Sequence, residues 1–127
     1  MNTIGWFEIY VQDMARARRF YEGVLRQQLQ PLGPPELDMW SFPSTLGHYG
    51  SGGALVCNPA MPSGGNSTVV YFTCPDCAVE ESRVPEFGGT VVRPKISIGP
   101  FGFVTLARDT EGNLIGLHTP LMDTPSE

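Results

Sequence analysis

Apolar and polar positions alternate from Trp6 to Val11, and the run ends at an Asp that opens a stretch of helical periodicity. Alternation over residues 4–11 predicts a strand with Phe7, Ile9 and Val11 on one face and Trp6, Glu8 and Tyr10 on the other. Asp13 is placed to cap a helix running to about Leu25, with Ala17, Phe20, Tyr21 and Val24 as its buried stripe. Gly33-Pro34-Pro35 breaks the chain, Leu37 to Phe42 reads as a strand, residues 43–53 as turns, and Ala54 to Cys57 as a closing strand. After the flexible stretch 60–67 a second strand is expected at 69–74. Asp76 caps a helix from Cys77 to about Phe87, with Val79, Val84 and Phe87 on its apolar side. Pro85 weakens its last turn and Gly88-Gly89 stops it. Thr90 to Ile98 is strand-like with an interruption at Pro94, and Phe101–Arg108 and Leu114–His118 form a hairpin around Asp109-Thr-Glu-Gly-Asn113. The tail after Pro120 is expected to be short and loosely held.

The second half therefore repeats the first. Val69-Val-Tyr-Phe-Thr-Cys-Pro-Asp76 matches Trp6-Phe-Glu-Ile-Tyr-Val-Gln-Asp13, and Ile115-Gly-Leu-His-Thr-Pro120 matches Ala54-Leu-Val-Cys-Asn-Pro59. A period of roughly 60 residues is too long for a solenoid and too short for independent domains. The reading is α+β: two tandem βαβββ modules forming a curved mixed sheet around a cleft, with the helices outside. The whole chain, 1–127, reads as one domain, with module one at about 4–59, a connector at 60–67 and module two at about 68–120.

Composition narrows the function. At 127 residues and 41% hydrophobic the chain can hold one core, and no apolar run is long enough to span a membrane. A net charge of −5 argues against nucleic acid as a partner. Arg16, Arg18 and Arg19 fit a solvated helix face. Met1-Asn-Thr-Ile-Gly-Trp6 lacks the basic-then-apolar order of a signal peptide, and three cysteines make no disulfide framework; both point to a reducing cytoplasm. Cys74-Pro-Asp-Cys77 is formally a CxxC before a helix, where a thiol pKa would fall, but no second pair completes a zinc site. A structural role for the pair outweighs a redox one.

Asp13 with Ala17-Arg-Arg-Phe-Tyr21, and Asp109-Thr-Glu-Gly-Asn-Leu-Ile-Gly-Leu117 near the end, resemble the glyoxalase, bleomycin-resistance and extradiol-dioxygenase (vicinal oxygen chelate) superfamily. Gly5-Trp-Phe-Glu-Ile9 and Ile115-Gly-Leu-His118 are similar to a bacterial subgroup described as related to lactoylglutathione lyase. The resemblance runs from about residue 4 to 120. Arg26 departs from it, standing where the family has the Gly that ends the first helix.

The resemblance implies a homodimer and, in metal-dependent members, a divalent ion held by inward His, Gln or Glu side chains of the opening and closing strands. Those positions fall here on Trp6, Leu55, Val69 and Gly116, none of which can ligate such an ion. No metal and no other cofactor is therefore expected. Two residues along each strand, on the same face, stand Glu8, Cys57, Tyr71 and His118. A carboxylate among apolar neighbours calls for a partner, and His118 or Tyr71 could supply it. A Glu8–His118 pair could act as acid and base or simply satisfy two buried groups. Trp6, Tyr10, Trp40 and Phe101 could line an aromatic pocket, although core packing is an equal reading for each. The glycine-rich Gly99–Gly102 and His48–Gly53 lack the lysine and helix of a phosphate loop and read as turns, with His48 exposed.

Three functions stay open. The first is a protein that binds a small apolar or aromatic molecule in its cleft without metal. The second is a metal-independent lyase, isomerase or hydroxylase-like enzyme using Glu8 and His118, not a metal-dependent glyoxalase I. The third is a protein-interaction subunit whose cleft is vestigial.

Overall fold

The computed structural model describes residues 2–45 and 47–121. Module one runs β1 (Trp6–Val11), α1 (Met14–Leu25), β2 (Gln30–Pro31), β3 (Asp38–Ser41) and β4 (Gly52–Cys57). Module two runs β5 (Val70–Thr73), α2 (Cys77–Arg83), β6 (Thr90–Ser97), β7 (Phe103–Arg108) and β8 (Leu114–Thr119), with a 3-10 turn at Gly99–Phe101. Each module is βαβββ and builds one four-stranded mixed sheet, in the orders β1-β4-β3-β2 and β5-β8-β7-β6. The first strand of each is parallel to its last, and the other pairings are antiparallel. Each half thus contributes its own four-stranded mixed sheet to the paired βαβββ architecture that the repeat predicts.

Both helices start where the sequence places them. The side chain of Asp13 accepts from the amide of Arg16, and that of Asp76 from the amide of Ala78. Each cap satisfies one of the amides a helix start leaves free. The stripe Ala17, Phe20, Tyr21 and Val24 is fully buried. It packs on Ile9, Val11 and Leu55 of the first sheet and reaches the second through Tyr21, whose ring centroid lies 5.7 Å from that of Phe72. Phe7 of β1 stands 6.0 Å from Phe72 of β5, and Phe42 stands 5.3 Å from it. One core therefore spans both modules. The helix-facing sides of both sheets are used up in it, and chemistry is left to the opposite faces and to the seam where β1 meets β5.

Several expectations change in detail. Helix α2 ends at Arg83, short of Phe87, and Val79 is exposed; Val84 is fully buried and Phe87 packs on the core. Strand β6 passes through Pro94 without a break, absorbing it in irregular pairing between Val91 and Ile96. The expected tail lies outside the described residues from 122 onward. No helix of the described residues is long and apolar enough to cross a membrane.

Candidate functional site

Strands β1 and β5 are each the outermost strand of a sheet, and two adjoining cavities mark their seam. The larger, about 810 Å³, is lined by the aromatic side chains of Trp6, Tyr71, Phe42, Phe72 and Tyr49 among others. The smaller, about 280 Å³, contains Glu8, Tyr10, Val70 and Leu114.

On β1 the register is the expected one. Ile9 and Val11 are buried toward the helices, while Trp6 and Glu8 face away from them. Glu8 accepts a hydrogen bond from the Tyr10 hydroxyl at 2.9 Å and one from the Trp6 indole at 3.3 Å. These three residues, two apart along one strand, lock one another's side chains. The hydrogen bond to the Glu8 carboxylate, followed by burial, raises the Tyr10 hydroxyl pKa, so this phenol stays protonated and remains a donor.

On β5, Tyr71 pairs with Gly116 of β8, and a Cβ on that glycine would run into the Tyr71 ring. The same device appears on β1: Trp6 pairs with Gly52, where an added Cβ would come within 3.2 Å of the indole. In each module an aromatic ring thus lies over a glycine of the closing strand, held flat by the missing side chain. Trp6 is 47% exposed and Tyr71 46%, high values for rings so well seated.

The divalent ion implied by the metal-dependent members of the family finds no ligands here. Strand pairing sets Ala54, rather than Leu55, beside Glu8 on the outward face of β4. Leu55 pairs with Ile9 and Trp40 and is fully buried toward the helices. The four positions thus carry an indole, a methyl, an isopropyl group and a glycine covered by Tyr71, and none offers a donor. Among the described residues no group of three or more His, Cys, Asp or Glu side chains is placed to hold a metal ion.

The same register corrects two further expectations. Trp40, opposite Leu55, lies on the helix side, with the Arg18 guanidinium 3.5 Å above its ring. Cys57 also turns to that side, packing against the core with its thiol 3.7 Å from the Gln12 carbonyl. Neither joins Trp6. His118 does lie on the Tyr71 face of β8, but no hydrogen bond links it to Glu8. Its Nε2 is 2.7 Å from the Phe101 carbonyl, an acceptor, so that nitrogen carries the proton. Phe101 itself is 71% exposed and lines neither cavity. Cys74 and Cys77 are buried free thiols. Burial, then the nearby Glu80 charge, pushes the Cys74 thiol up to about 12, the reverse of the lowering expected before a helix.

Two groups of residues at the seam were not anticipated. The β7–β8 turn plugs one end of it. Glu111, its side chain fully buried, accepts from the amides of Gln12 and Asp13, from the Thr110 hydroxyl and from the Arg16 guanidinium at 2.7 Å. Asp109 accepts from Tyr21 at 2.6 Å, and Asn113 donates to the Tyr10 carbonyl. At the other end Glu80 lines the larger cavity. A sequence signal existed for it: Glu80 follows Asp76 by the same step as the buried Ala17 follows Asp13.

No protein-family model matches this chain, and no curated protein sequence matches it significantly. Solved structures do. The chain is similar to TnmS3, an antibiotic binding protein from Streptomyces sp. CB03234, at 25% identity and TM-score 0.67, over 95% of this chain and 98% of that one. A glyoxalase/bleomycin resistance protein from Albidiferax ferrireducens T118 matches at 17% identity and TM-score 0.72, over 93% and 99% of the two chains. A member of the glyoxalase/bleomycin resistance protein/dioxygenase superfamily from Sphaerobacter thermophilus DSM 20745 matches at 18% identity and TM-score 0.69, over 94% and 98%.

Proposed function

We propose that this chain, which has the fold of the glyoxalase/bleomycin resistance protein/dioxygenase superfamily, binds a small apolar or aromatic molecule in the Trp6–Tyr71 cavity and does so without the superfamily's metal. The observation that carries the proposal is the convergence of those two half-exposed rings, each seated over a glycine, on one cavity of about 810 Å³. That volume suits a drug-sized ligand, and stacked aromatic walls favour a flat one. The similarity to an antibiotic binding protein supports the same reading. Acid–base catalysis by Glu8 and His118 is less favoured, because each is engaged by other partners and no hydrogen bond joins them.

Equilibrium dialysis with 2-naphthylmethanol tests the proposal. The wild-type protein should bind it, and Trp6→Ala should weaken binding by about tenfold or more, the loss of one stacked ring. Equal binding by the two proteins would place the ligand elsewhere.

The finer assignments belong to the same proposal. Kinship with proteins related to lactoylglutathione lyase rests on the two end motifs, and a cytoplasmic site rests on the free cysteines. A homodimer is supported by the unpaired outer edges of both sheets and by exposed Ile4 and Phe101. Light scattering at micromolar concentration should give twice the chain mass of 13.9 kDa; the single-chain mass would end that assignment.

A further inference from the structure

Each end of the seam holds a buried carboxylate, and only one of them is satisfied. Glu111 has donors from two amides, a hydroxyl and a guanidinium. Glu80 is 9% exposed, and its Oε1 is shut off from solvent with no hydrogen-bond partner. The Cys74 thiol beside it is a weak donor with one hydrogen, which the Glu80 carboxyl must share with the Phe72 carbonyl at 3.5 Å. The segment equivalent to the plugging turn, from Phe42 to Ser51, supplies cavity wall at Pro43, Tyr49 and Ser51, and none of its described residues hydrogen-bonds Glu80.

Packing does not ask for a carboxylate at this position. The repeat puts Ala17 in the equivalent place on α1, fully buried in the core. A buried carboxyl with one oxygen unpartnered and only a thiol within reach is a standing cost to the fold, and such a residue points to a partner from outside. The cavity indicates what kind. Among its described lining residues Glu80 is the one acidic or basic side chain, and the rest are apolar, aromatic or neutral polar. With a chain net charge of −5, the surrounding field also favours a cation.

We propose that Glu80 is the polar anchor of the larger cavity and that the ligand carries a protonated amine beside its flat or apolar body. The ammonium pairs with the Glu80 carboxylate, and the body stacks between Trp6 and Tyr71, whose ring faces also attract the cation. This rests on the reading of the cavity as a small-molecule site.

Three probes of one shape separate the two claims: 2-naphthylmethylamine, 2-naphthylmethanol and 2-naphthoate, titrated into the whole protein at neutral pH by calorimetry. The amine should bind about tenfold or more tighter than the alcohol, and the carboxylate weakest. Glu80→Gln should bring the amine to the affinity of the alcohol and leave the alcohol unchanged. Glu80→Ala, which copies Ala17, should fold and melt at a higher temperature than wild type while losing the same preference. If the alcohol binds but the amine gains nothing, or its advantage survives Glu80→Gln, the anchor is wrong and the cavity stands. If no probe binds, the cavity reading fails and the anchor with it. A lower melting temperature for Glu80→Ala would make Glu80 a structural residue and overturn the proposal.

Discussion

Arg26 ends α1 in the left-handed region, at φ 55° and ψ 44°, the single non-glycine residue with positive φ among those described. A side chain there crowds the following carbonyl, which is why a glycine is favoured at this point. Arg26→Gly should therefore stabilise the protein by roughly 0.5–1 kcal/mol, part of the gain being offset by the freer unfolded chain. Urea denaturation gives the value, and a loss of stability would mean that the arginine side chain contributes more than its backbone costs. Glu111 makes the opposite kind of contribution. Burial alone would raise its pKa, but the Arg16 guanidinium, the Gln12 and Asp13 amides and the Thr110 hydroxyl outweigh it and bring the value from 4.5 to about 2. Its pKa is lower folded than unfolded, so its stabilisation is complete above about pH 5 and is lost as pH falls toward 2. Glu111→Gln should cost roughly 2–3 kcal/mol at pH 7 and much less near pH 2, since Arg16 is itself half exposed. A cost that does not change between those pH values, measured by urea unfolding, would show that the carboxylate charge is not what holds the turn.

Among the elements, those with one clear periodicity were legible. Strand β1 alternates cleanly, and its two faces lie as predicted; α1 carries an unbroken stripe between a capping Asp and a chain reversal. Strand β4 could not be read the same way. Gly52-Gly-Ala-Leu-Val56 is apolar or glycine on both faces, so alternation has no contrast to report, and parity was assigned one residue out. Trp40, named only as one of four aromatics, pairs with Leu55 and so shares its helix-facing side. In β8 the polar His118 restores contrast, and its face was read correctly. Strand β2, two residues long, has too few positions to show any period. The hydrogen-bonding turn Asp109–Asn113 was recognised as a turn, but its docking on the start of α1 joins residues nearly a hundred positions apart, which local pattern cannot convey.

Across the whole molecule, the repeat builds two near-equivalent halves and then treats their seam unequally. One end is sealed by the β7–β8 turn; the other keeps a cavity with two aromatic rings and an unpaired carboxylate. Trp6 and Tyr71, each seated over a glycine of a closing strand, both line that cavity. Glu80 was not singled out in the sequence, because its meaning depends on what the opposite half leaves open. The central claim is that a flat molecule binds between Trp6 and Tyr71. It is tested most directly by two-dimensional amide NMR of the labelled protein titrated with 2-naphthylmethanol, because the chain has two tryptophans on opposite faces of one sheet. The account predicts that the Trp6 indole N–H and the amides of residues 69–73 shift while the Trp40 indole stays in place. Shifts centred on Trp40, or confined to residues away from the seam, would contradict it.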